Sequence, residues 1–197
     1  MLVAQVHKAR YHSLSILLHW TIAIGLIFMF LSGLYMVNAD ISKAEQYKLF
    51  QIHKASGVLM LWAIFLRVCV RLLTKAPEFP EKFSVADKKK AGIGHIVLYI
   101  ALLIMPLSGW LMVSSSSFGL PTFVFIDWIK WPHIPGVARN KTIETIANNI
   151  HWIGAICLFT LIIGHISAVM WHKKAHKISL LSRIWWSSQK QKNTEEN

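Results

Sequence analysis

Four apolar runs, each long enough to cross a bilayer, constrain this chain more than any other feature. A helical span takes about 20 residues at 1.5 Å each. The sequence offers Leu14–Val37, Ile52–Leu73, Ile93–Val113 and Ala147–Trp171, with no Asp or Glu inside any of them. A water-soluble domain would carry more than 15% charged residues and would interrupt its apolar runs sooner. The expected fold class is therefore all-α, an integral membrane four-helix bundle. One domain is expected over 1–188, with no internal repeat, and the polar tail 189–197 is expected to be disordered.

Basic residues orient the spans. Six of the 21 Lys and Arg lie on one side: Lys43, Lys48, Lys54, Lys130, Arg139 and Lys141. The rest lie in the N-terminus, the second connection and the C-terminal tail, so both termini are expected in the cytoplasm. The net charge of +12 is then a topology signal with attraction to anionic lipid, and no nucleic-acid partner is expected. The first span exceeds a signal peptide's apolar core and contains His19, so it reads as a retained helix. In the third connection Phe123, Phe125, Trp128 and Trp131 alternate with prolines. They suit an aromatic segment lying in the membrane interface and capping the bundle, with a lid over a site as the alternative. Trp185 and Trp186 read as interfacial anchors. Cys69 and Cys157 fall at different depths, so no disulfide is expected between them. No C-x-x-C-H occurs, which excludes covalent c-type haem.

Histidines carry the chemistry. His19, His53, His151 and His165 lie in or at the mouths of the spans, where ionisable side chains are rare and turn toward the bundle interior. Fourteen residues separate His151 from His165, which is about 40° short of four helical turns, so the two share a face about 21 Å apart along the axis. With spans alternating in direction, His19 matches His165 near the inner surface and His53 matches His151 near the outer one. The expectation is two stacked bis-histidine sites. Facing imidazoles are an axial pair for haem iron, whereas zinc favours four ligands. The lack of carboxylates in the spans argues against a histidine-based metal transporter. Gly25, Gly57, Gly154 and Gly164 stand near the histidines and offer room for a flat macrocycle, or ordinary helix contacts.

The stretches YHSLSILLHW (11–20), IHKASGV (52–58), RVCVRL (67–72) with the following KAP, GHIVLYIALLIMPLSGWLM (94–112) and HWIGAICLFTLIIGH (151–165) together resemble the bacterial cytochrome b561 family. The resemblance covers all four spans in order. It implies a bundle holding two b-type haems in a bacterial inner membrane, with His19, His53, His151 and His165 as axial ligands. It further implies electron transfer to a quinone. One kind of member is a superoxide oxidase passing electrons from periplasmic superoxide to ubiquinone; related cytochrome b subunits instead serve as anchors for a redox partner protein.

Other residues take roles relative to that expectation. Lys54, beside His53, reads as a steering charge for superoxide or as an interfacial lysine whose stem snorkels. Arg67 and Arg71 share a helix face. Arg67 is read both as a partner of inner-haem propionates and as part of the cytoplasmic basic excess; Arg71 fits the latter. His95 is a candidate for a hydrogen bond across helices or a proton relay to quinone, and His172 for a quinone-side proton donor. His7, His12, His133 and His176 read as surface residues.

Overall fold

The computed structural model describes residues 10–80, 83–124 and 129–186. His7, Phe125, Trp128 and the 189–197 tail lie outside them. Four helices follow the chain: α1 (Ser13–Asn38), α2 (Lys43–Leu73), α3 (Val85–Ser115) and α4 (Lys141–Ala175). All four are long and apolar enough to cross a membrane. The protein is a multi-pass, all-α membrane bundle. Between α3 and α4 lies a short antiparallel ribbon, β1 (Thr122–Val124) and β2 (Ile129–Trp131), pairing Thr122 with Trp131 and Val124 with Ile129.

Each helix begins earlier than its apolar run, because polar caps set the starts. Ser42 and Glu45 form a reciprocal capping box that starts α2 nine residues before Ile52. Ser84 accepts from the Asp87 amide at 3.0 Å, and Asn140 from the Ile143 amide at 3.1 Å. His12, exposed as expected of it, caps α1 by accepting from the Leu14 amide. The helices therefore project past the hydrocarbon, and the first connection shrinks to a few residues.

Short connections make consecutive helices antiparallel. Helix α1 packs chiefly on α2 and α3 on α4, with α2 joining the pairs. Most apolar side chains face outward; Ile24, for instance, is 65% exposed, as a lipid-facing surface requires. The interior is a compact plug around Ile22, Met60, Ile64, Leu102 and Leu158. Leu158 stands midway between His151 and His165, so the plug separates two histidine levels. The described segments next to the termini, from Arg10 and up to Trp186, lie with the described part of the α2–α3 connection at one end of the bundle, here called the terminal end. There the Tyr11 amide donates to Arg183 O and Trp20 Nε1 to Ile184 O. The β-ribbon marks the opposite, ribbon end.

The two helix pairs share a short local pattern. MFLSGLYM (29–36) on α1 recurs as MPLSGWLM (105–112) on α3. His19 stands thirteen residues before Ser32, and His95 thirteen before Ser108; Arg67 follows His53 by fourteen, as His165 follows His151. The same correspondence pairs Ile22 with Leu98, Leu26 with Leu102, Met60 with Leu158 and Ile64 with Ile162, all in the central cluster. The shared segment is short, and the loop lengths differ between the hairpins, so no single period runs through the sequence.

Candidate functional site

At the ribbon end, His53 from α2 and His151 from α4 face each other with ring centres 6.5 Å apart and planes at 78°. Each ring is held from behind by the repeated serine. Ser32 Oγ donates to Met29 O at 3.2 Å and lies 2.9 Å from His53 Nδ1. A hydroxyl has one proton to give, so with it on the carbonyl the oxygen accepts from His53 Nδ1–H. Ser108 Oγ likewise donates to Met105 O at 2.9 Å and lies 3.0 Å from His151 Nδ1. That nitrogen is also 3.0 Å from Met105 O, an acceptor only, so it carries the proton. Both serines are buried, at 8% and 6% exposure. With Nδ1 protonated on each ring, Nε2 keeps its lone pair.

The glycines that meet the imidazoles are Gly33 and Gly109, each just after its serine. A Cβ at Gly33 would lie 3.4 Å from His53 Cε1, and one at Gly109 would lie 3.2 Å from His151 Cε1. Of the four glycines read as room for a macrocycle or as ordinary helix contacts, three take the second role. Gly25 admits the Met60 thioether, Gly57 faces Met29, Gly154 faces Met105, and a Cβ at Gly164 would meet nothing within 4 Å. Three of them are close-packing contacts between helices.

At the terminal end the related positions hold His19, Arg67, His95 and His165. Arg67 Nη1 donates to Ser15 O at 2.8 Å and Nη2 to His19 Nδ1 at 3.1 Å. A guanidinium only donates, so the His19 lone pair is on Nδ1, opposite to the ribbon-end rings. His95 and His165 rings lie 5.7 Å apart, edge to face. Half-buried Arg67 and exposed His95 thus lie beside the terminal-end histidines, while Arg71 lies over the Tyr11 ring at 5.8 Å. Further out, His172 stacks on Phe83 at 4.5 Å and on His176 at 5.5 Å, and its buried Nδ1 has no partner among the described residues. Arg183 ties this end together, donating to Pro77 O and Glu78 O. Burial pulls its guanidinium below the ordinary value while nearby Tyr11 opposes the shift.

Lys54 is half-buried and donates to Pro121 O at 3.0 Å, which fastens the third connection to α2 beside His53. Trp131 packs between Trp62 and Trp110, and Trp110 Nε1 donates to Pro132 O. His133 is not a plain surface residue: it is half-buried with Nε2 enclosed. Both cysteines are free.

The ribbon-end pair fits a haem. His53 and His151 would hold the iron through their free Nε2 atoms, from ring centres 6.5 Å apart, and Nδ1–H held by an oxygen is the usual state of a ligating histidine. The terminal end has enough imidazoles, but Nε2 of His19 is open to a metal only once its proton leaves or Arg67 turns aside.

Four membrane-crossing helices that turn histidines inward at two levels define a class, the polytopic bundle with an imidazole-lined interior. Within that class the chain belongs to the prokaryotic cytochrome b561 family, whose model matches residues 10–187. It is 27% identical over 176 residues to cytochrome b561 homolog 2 of Escherichia coli (strain K12), covering 89% of this chain and 90% of that protein. It is 26% identical over 179 residues to cytochrome b561 homolog 1 of the same organism, covering 89% and 96%. The protein is accordingly a membrane electron carrier of this family, and membership implies b-type haem.

Proposed function

We propose that the protein is a di-haem transmembrane oxidoreductase: His53 and His151 hold one b haem, His19 and His165 the other, and electrons pass from superoxide at the ribbon end to ubiquinone at the terminal end. The excess of Lys and Arg near the terminal end supports placing that end in the cytoplasm and the ribbon end in the periplasm of a bacterial inner membrane. When bound, the haems supply reversible one-electron chemistry, tuned by axial ligands and their hydrogen bonds.

The chain's own residues do the rest. The observation that carries the reading is the facing of His53 and His151 with both Nδ1 atoms engaged from behind. Leu158, Ile64 and their neighbours keep water from the space between the levels. Arg67 brings positive charge to the terminal-end pocket, where it balances propionates or holds His19. His95 and His172 are the groups there able to hand protons to a reduced quinone. Lys54 keeps the third connection seated over the ribbon-end site, its charge adding to the field that draws a small anion.

The test is a reduced-minus-oxidised spectrum of detergent-purified protein, followed by addition of a superoxide generator and then ubiquinone. Two non-covalent b haems per chain, reduced by superoxide and reoxidised by quinone, are expected. Two haems that superoxide leaves oxidised, with a soluble protein co-purifying, would replace the superoxide reading with that of an anchor subunit.

A further inference from the structure

We propose that Ser32 and Ser108 are a matched pair of positioning residues, one per helical hairpin, that set the strength of the two axial ligands at the ribbon-end site. This rests on the reading that His53 and His151 bind one haem.

The M-x-L-S-G-x-x-M segment occurs once on α1 and once on α3, each time against the histidine of the following helix in its own hairpin. A serine within an apolar helix that merely bonds its own preceding turn would be unremarkable. These two do that and also take the Nδ1–H of an imidazole on a neighbouring helix. Each hydroxyl thereby polarises a ring, fixes which nitrogen is free and limits rotation. The glycine after each serine lets the ring sit against the helix surface, within 3.2 to 3.4 Å of where a Cβ would be. Hydrogen bonding at Nδ1 makes an imidazole a stronger donor through Nε2, which favours ferric over ferrous iron and lowers the site's potential.

The two halves are matched but not identical. His151 Nδ1 has a second acceptor in Met105 O, whereas among the described residues His53 Nδ1 has Ser32 Oγ alone. Removing Ser32 therefore withdraws more of the ligand's support than removing Ser108. At the terminal end the corresponding residue pairs, His19 with Arg67 and His95 with His165, have no such hydroxyl bracket among the described residues. The effect of both serines should be confined to one of two haems.

The experiment is a potentiometric titration of the whole haem-loaded protein in detergent, with haem content measured in parallel, for wild type, Ser32→Ala, Ser108→Ala and Ser32→Thr. One net hydrogen bond corresponds to a change of about 2- to 10-fold in the ferric-to-ferrous ratio at fixed ambient potential. At 59 mV per tenfold that is roughly 20 to 60 mV. Ser32→Ala is expected to raise one of the two waves by this amount. Ser108→Ala should raise the same wave by less, and Ser32→Thr should stay at the wild-type value. Loss of that haem in Ser32→Ala with retention in Ser32→Thr would equally support a role for the hydroxyl. The proposal is overturned if neither alanine moves a wave, if the two move different waves, or if Ser32→Thr behaves like Ser32→Ala. A wild type without two haems, or one whose haem content is unchanged by loss of His53 or His151, would instead sink the underlying site assignment.

Discussion

Alanine at the two bracket glycines tests how tightly the helices cradle the ribbon-end imidazoles. The shared pattern supplies a built-in control, since Gly33 and Gly109 occupy equivalent positions with different clearances. At Gly33 an added Cβ meets His53 at 3.4 Å, an ordinary contact. Replacing a mid-helix glycine by alanine gains about 0.5–1 kcal/mol, and at Gly33 little opposes it. At Gly109 the Cβ meets His151 Cε1 at 3.2 Å and Nδ1 at 3.4 Å, so the ring must retreat by a few tenths of an ångström. That ring is anchored by Ser108 Oγ and Met105 O, and overpacking against a fixed neighbour costs about 1–3 kcal/mol. Gly109→Ala is thus expected to be destabilising by about 1 kcal/mol net of the helix gain, and Gly33→Ala neutral or stabilising. For a chain of this size 1 kcal/mol moves Tm by about 2–4 °C. Thermal denaturation of the detergent-solubilised protein, followed through loss of the haem Soret band, should place Gly33→Ala above Gly109→Ala by several degrees. Equal melting of the two, or the reverse order, would refute the claim that the His151 ring is fixed against α3.

Two further substitutions probe the terminal end and the third connection. On the reading that Arg67 leaves His19 Nδ1 and balances the propionates when haem binds, Arg67→Gln should weaken retention of the terminal-end haem by about 1.5–3 kcal/mol and leave the ribbon-end haem in place, as measured by haem content after mild heating. Lys54→Met removes the donor that holds Pro121 O. Limited proteolysis should then cut the 116–140 connection faster, and the rate with superoxide should fall while losing part of its dependence on salt. Unchanged proteolysis would mean that Lys54 does not brace that connection.

The spans and the facing of His53 and His151 were legible because each breaks a strong background, whereas at the terminal end the ring beside His165 is that of His95. Long apolar runs are unmistakable, and a histidine among leucines and isoleucines stands out for the same physical reason that makes it costly there. Helix ends were less so: the starts of α2 and α4 depend on caps at Ser42 and Asn140, which sit in polar sequence where apolar periodicity says nothing. Ser32 and Ser108 escaped notice because a serine in a membrane helix usually satisfies itself on its own backbone. Only the three-dimensional placement of His53 and His151 gives the two hydroxyls a second partner. Gly33 and Gly109 were missed for a related reason. Proximity along the chain pointed to glycines on the histidines' own helices, whereas the close approach comes from the helix next door. The inward placement of Arg67 was one of two open readings, and its bond to His19 Nδ1 required coordinates, since a cytoplasmic-side arginine is expected by charge bias alone.

The most direct test of the central claim is the number of b haems per chain in wild type, His53→Ala, His151→Ala, His19→Ala and His165→Ala, each purified in detergent and shown to be folded by helical circular dichroism. Two haems in the wild type and one in each variant are predicted. His53→Ala and His151→Ala should lose the same spectral component, and His19→Ala and His165→Ala the other. A wild type with a single haem, or a His53→Ala protein that keeps the component His151→Ala loses, would contradict the stacked pair of sites.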